Sequence, residues 1–125
     1  MIAGRRSVLV VDDEVDIITS VKRWLQDDGL NVYGYADPLQ ALEYFKNNSC
    51  NIDLVLSDIR MSKMNGYELV KKIKAIQPET KIIFMTALET DRLETSKILP
   101  SIKIDGFMLK PGSLENLVNT INKVI

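Results

Sequence analysis

The stretch "LVLSDIRMSKMNG", Leu54 to Gly66, decides how the chain reads. Leu54, Val55 and Leu56 are apolar at successive positions, the mark of a strand buried on both faces. Ser57 and Asp58 follow, and the segment closes on Asn65-Gly66, a turn signal. Such a strand has two reasons to end in a carboxylate. Strands end somewhere, and Asp and Asn-Gly are turn residues. Alternatively, Asp58 stands on a rigid support in order to react.

Outward from this stretch, the hydrophobic period alternates. "SVLVV", "NVYGY", "KIIFMT" and "GFMLK" are short apolar runs rich in β-branched and aromatic residues, and they join "IDLVLS" as five strands. Between them lie helical stripes. Ile17, Ile18, Val21, Trp24 and Leu25 form one, and Leu69, Val70, Ile73 and Ile76 form another that Gln77-Pro78 stops. Leu114, Leu117, Val118, Ile121 and Val124 form a third, capped by Gly112 or Ser113. Pro38 to Lys46 offers a shorter helix, and Leu88 to Leu99 a polar, well-solvated one. A βα unit repeated five times implies a parallel sheet with right-handed crossovers and helices on both faces. Ligands of such sheets bind outside the carboxyl ends of the strands.

Composition narrows the function. The chain has 125 residues, enough for one domain with a single core, and residues 1–6 read as a flexible tail. A net charge of -1 without a basic run gives no general attraction to nucleic acid or anionic lipid. No apolar stretch approaches the length that spans a bilayer. One cysteine, Cys50, and no histidine exclude an intramolecular disulfide and a zinc-type centre. Oxygen ligands remain, and they favour magnesium, calcium or manganese. A reducing cytoplasm suits this composition.

The strand ends hold the chemistry. Strand one ends in Asp12-Asp13-Glu14, strand three in Asp58, strand four in Thr86-Ala87 and strand five in Lys110-Pro111. Each residue has a plain reading: an Asp that caps a helix, a Thr that ends a strand, a solvated Lys. Together they place acids, a hydroxyl and an ammonium along one sheet edge. Crowded Asp12, Asp13 and Asp58 repel one another unless cations compensate. Magnesium takes carboxylates and phosphate oxygens together, and Lys110 supplies a second positive charge. Such a site suits a phosphoryl group held against a nucleophilic aspartate.

In that order, "VLVVDDE", "SDIRMSKMNG", "FMTA" and "FMLKP" resemble the receiver domain of response regulators in two-component signalling, over essentially the whole chain. The resemblance implies a flavodoxin-like sheet of order 2-1-3-4-5. It implies that Asp58 accepts a phosphoryl group from a histidine kinase or phosphotransfer protein. Asp13 and Asp58, with Asp12 through water and the backbone carbonyl of Arg60, would hold Mg2+ or, less typically, Mn2+. Thr86, Ala87 and Lys110 would bind the phosphoryl group, and Phe107 stands at the aromatic switch position. Gly66 would be structural, and the Lys110-Pro111 peptide would be cis. The implied partners are the phosphodonor and an output domain or downstream protein met through the fourth helix, fifth strand and fifth helix. The domain itself would touch neither nucleic acid nor membrane, and it would be a monomer or a weak, phosphorylation-dependent dimer.

The chain departs from the family pattern in two places. Ser62 stands where many receivers carry proline, and Thr86 to Lys110 spans a couple of residues more than usual, Pro100 among them. Leu88 lies two after Thr86 and Arg60 two after Asp58, where receivers shape the path of attacking water; a bulky Leu88 predicts slow self-dephosphorylation. Two other functions compete with the phosphoryl switch. A phosphohydrolase with an aspartyl-phosphate intermediate would need an acid or base where Arg60 stands. A degenerate receiver acting only as an interaction module would have lost an acidic, Thr or Lys member, and none is lost.

Overall fold

The computed structural model describes residues 6–87, 97, 102–110 and 112–125. The strands are β1 (Ser7–Val11), β2 (Asn31–Tyr35), β3 (Leu54–Asp58), β4 (Lys81–Thr86) and β5 (Gly106–Leu109). Among the described residues, the bounded helices are α1 (Val15–Asp27), α2 (Pro38–Asn48), α3 (Gly66–Ile76) and α4 (Leu114–Val124). A 3-10 turn, Ser49–Asn51, carries the exposed Cys50. Of the expected helix from Leu88 to Leu99 only Lys97, which is helical, is described; Pro100, Pro111 and the first five residues of the expected tail lie outside the described residues.

All strand pairs are parallel, in the order β2-β1-β3-β4-β5. Successive residues of β1 and β3 point to opposite faces, and each face has its own apolar layer. Leu9, Val11, Val55, Ile82 and Phe84 pack under α2 and α3, with Phe45, Leu69 and Ile73 among the buried partners. Val8, Val10, Leu54, Leu56 and Ile83 pack under α1 and α4, against Val21, Leu25, Leu117 and Ile121. The unbroken apolar runs are thus explained by burial on both sides. Leu39, Ile76 and Leu114, at helix ends in the expected stripes, are exposed instead.

Local chemistry sets where the helices begin. Asp37, Asn65 and Ser113 each accept a backbone N–H of the first turn, capping α2, α3 and α4. That selects Ser113 over Gly112 as the cap. The plain reading of Asp12 or Asp13 as a cap of α1 does not hold. Glu14 is the N-cap residue there, and its side chain makes no capping bond. β3 starts two residues later than expected: Ile52, extended, follows the 3-10 turn, and the Asp53 side chain accepts the Ser7 N–H at 2.8 Å. β3 ends on Asp58, as expected.

Candidate functional site

Register brings the reactive groups together. Val11 of β1 lies beside Ser57 of β3, so Asp12, just past β1, and Asp58, the last residue of β3, are neighbours. Asp58 pairs with Met85 of β4, which sets Thr86 next along the edge, and Thr86 pairs with Leu109, just before Lys110. The Lys110 backbone N–H donates to the Thr86 carbonyl at 2.6 Å, tying these two positions to each other.

Lys110 is the hub. Its Nζ lies 2.7 Å from Asp12 Oδ2, 3.2 Å from Glu14 Oε1 and 3.3 Å from Asp58 Oδ2. Its side chain is only 7% exposed, so it is a buried cation and the plain reading of a solvated lysine does not hold. The two aspartates are oriented from behind. Asp12 Oδ1 accepts the Glu14 N–H at 2.9 Å, and Asp58 Oδ1 accepts the Ile59 N–H at 2.8 Å. One oxygen of each carboxylate is held by its own backbone while the other faces the ammonium.

The electrostatics follow from this crowding. Burial, then the neighbouring Asp12 charge, pushes Asp58 up to about 6 against the pull of Lys110. Burial also raises Asp12, with Lys110 and the Glu14 amide opposing. For Lys110, burial works against the charge, but its bond to Asp12 and the fields of Asp12 and Asp58 outweigh it, and its pKa is raised. The ammonium is therefore secure, whereas the carboxylates carry the cost of crowding.

The remaining expected residues take distinct places. Thr86 is buried at the strand end and Ala87 beyond it is exposed. Phe107 is half-buried on β5 against the α2/α3 layer. Asp13 and Arg60 are exposed and line a cleft of about 460 Å³ with Ile59, Met61, Asn65 and Tyr67. Gly66 packs on the backbone of Asp58 and Ile59; a Cβ there would collide with the Asp58 carbonyl oxygen. Its N–H donates to the Ile59 carbonyl at 2.7 Å, closing the β3–α3 loop.

One participant was missed from sequence. Glu14, read only as part of "DDE", joins Asp12 and Asp58 in a group whose carboxylate oxygens lie within 4.8 Å of one another. Only the backbone turn at Asp12, which folds the chain back to bring Glu14 over Lys110, makes this visible. The donor set is all oxygen, and that fits a hard divalent cation such as Mg2+.

Comparison with known proteins agrees with the geometry. Residues 8–122 match the family described as response regulator receiver domain. The chain is 31% identical to the sensor kinase CckA of Brucella abortus (strain 2308), covering 99% of this chain and 13% of that protein. It is 34% identical to the transcriptional regulatory protein ZraR of Escherichia coli (strain K12), covering 94% of this chain and 26% of ZraR. It thus spans about a quarter or less of these curated relatives. Among solved structures, response regulator protein TrrA from Thermotoga maritima, in complex with Mg(2+)-BeF, superposes with a TM-score of 0.84 at 29% identity. That match covers 96% of this chain and 99% of TrrA. With the strand order, the acidic cluster and the family match in agreement, the chain belongs to the response regulator receiver domains of two-component signalling.

Proposed function

We propose that Asp58 is the phosphoacceptor, taking a phosphoryl group from a histidine kinase or phosphotransfer protein in a magnesium-dependent reaction. One observation carries this reading: a buried lysine ties Asp58 Oδ2 to the Asp12–Glu14 pair at the end of the central strand. Because Oδ1 is engaged by the Ile59 amide, Oδ2 is the nucleophile. Its new bond to phosphorus forms as the donor's nitrogen–phosphorus or acyl oxygen–phosphorus bond breaks, and the donor leaves with that electron pair. With a pKa near 6, Asp58 is mostly ionised at neutral pH and ready to attack.

Asp58, Asp13 and the Arg60 carbonyl hold the cation, with Asp12 through water; Glu14 is the added candidate ligand that the cluster brings within reach. Bound Mg2+ would neutralise phosphate charge. Lys110 pairs with the new phosphoryl group, and the Thr86 hydroxyl and Ala87 complete its binding. Phe107, already packed partway into the core, moves inward as Thr86 is drawn toward the phosphoryl group. The group thus favours one of two arrangements of the β4–β5 edge, and an output domain or downstream protein reads the difference. Beyond its own phosphorylation and dephosphorylation, the chain catalyses nothing. No described helix is long and apolar enough to cross a membrane, and a cytoplasmic setting matches the implied donor.

Intact mass after incubation with acetyl phosphate and magnesium tests the reading. A single phosphoryl gain is expected, absent in Asp58→Asn and absent with EDTA. A gain that survives Asp58→Asn would overturn the assignment.

A further inference from the structure

The loop from Ile59 to Asn65 forms one wall of the cleft beside Asp58, and its conformation is unusual. Lys63 has φ 70°, the left-handed region that side chains other than Gly and Asn rarely adopt. Around it the Met64 N–H donates to the Ser62 carbonyl at 2.7 Å, closing a tight three-residue turn. Residues 60–64 include neither Gly nor Pro, so nothing in their backbone chemistry presets this turn. Buried Met64 and the Gly66 amide on Ile59 already anchor the far end of the loop, and a tie from outside meets the strained residue itself.

That tie is to Asp37, the residue that caps α2. Lys63 Nζ lies 2.8 Å from Asp37 Oδ2, a contact between residues 26 apart in sequence. The other oxygen, Asp37 Oδ1, accepts the Leu39 N–H at 2.9 Å and caps α2. Helix α2 in turn is packed into the core through Ala41 and Phe45. One carboxylate therefore joins a fixed helix end to the strained residue of the loop. Met64, next in sequence, is buried in the same apolar layer, and the Gly66 amide fixes the loop's base on Ile59.

We propose that the Lys63–Asp37 pair is a latch that positions the β3–α3 loop, and with it Arg60, beside the phosphoacceptor. This rests on the reading of Asp58 as phosphoacceptor. Lys63 and Asp37 are positioning residues: neither touches the reacting atoms, and they act through the backbone between Asp58 and Gly66. The turn is held by an outside tie in the resting protein, so the loop's rigidity depends on an ion pair that salt weakens.

Amide hydrogen exchange and phosphorylation kinetics together test the latch. The variants are Lys63→Met, Asp37→Asn (which keeps the oxygen that caps α2), the double variant, and Lys63→Arg. The Met64 amide should exchange roughly two- to five-fold faster in each single variant, the range set by the worth of an exposed ion pair. The double variant should be no worse than either single one, and Lys63→Arg should restore protection. The second-order rate of phosphorylation by acetyl phosphate should fall by a similar factor with an unchanged melting temperature. Unchanged Met64 exchange in Lys63→Met, additive effects in the double variant, or phosphorylation at the parent rate in a loosened loop would each overturn the latch. If the parent itself takes no phosphoryl group, the phosphoacceptor reading falls, and amide exchange alone decides whether the tie holds the loop.

Discussion

Asp58 carries its charge in a place that resists it. Burial and Asp12 raise its pKa to about 6, above the ~3.9 of an unfolded Asp. A carboxyl raised on folding stabilises the native state fully below its unfolded pKa, and that contribution is lost as pH climbs through the folded value. Asp58→Asn should therefore gain nothing near pH 4 and gain up to about 3 kcal/mol by pH 7.5, two pKa units at ~1.4 kcal/mol each. Urea unfolding in EDTA at the two pH values measures this. An Asn variant no more stable than the parent at pH 7.5 removes the electrostatic account. Lys110 is the opposite case, because it neutralises Asp12, which is completely buried. Lys110→Met should cost about 3–5 kcal/mol without divalent cations, the penalty for a buried charge left alone. Magnesium should recover part of that loss, and melts with and without the metal would show it.

Among the elements, β3 and α3 are locked at the residue that joins them. Gly66 packs so closely on the Asp58–Ile59 backbone that a methyl group has no room. Gly66→Ala should destabilise by about 1–3 kcal/mol as the two elements part. It should also slow phosphorylation by acetyl phosphate, since Asp58 itself is displaced. A Gly66→Ala protein with parent kinetics would separate the loop's base from the chemistry. The elements were the part most legible in the sequence. Strand runs such as "SVLVV" and stripes such as Ile17–Leu25 carry their period locally, and Asn65 and Ser113 announce their helix starts. At the site, Asp12, Asp58, Thr86 and Lys110 were readable because each stands at a strand end that periodicity locates. Glu14 and the Lys63–Asp37 tie were not. The first depends on how the chain turns after Asp12, the second on a contact across two connections, and neither leaves a local pattern.

On the scale of the whole molecule, metal binding and folding should be linked, because the oxygen cluster exists only when β1 and β3 are paired. Magnesium at about a hundred times its dissociation constant should add about 2.7 kcal/mol of stability. Thermal melts across a magnesium series measure it, and Asp13→Asn and Glu14→Gln show which acid matters. Asp13→Asn should shift the series by roughly tenfold or more and Glu14→Gln by less, the order expected if Asp13 holds the ion directly and Glu14 only adds to the field around it. A larger shift in Glu14→Gln would transfer the ligand role to it. The strand order has a further consequence, for a chain still being made. Strands β1, β2 and β3 emerge early and can pair with one another, whereas β5 joins only at the outer edge of β4. A nascent chain can therefore bring Asp12 and Asp58 side by side before Lys110 has left the ribosome. Until then their repulsion has no lysine to answer it, and a cation from the surrounding solution is the natural counter-charge for the half-built sheet.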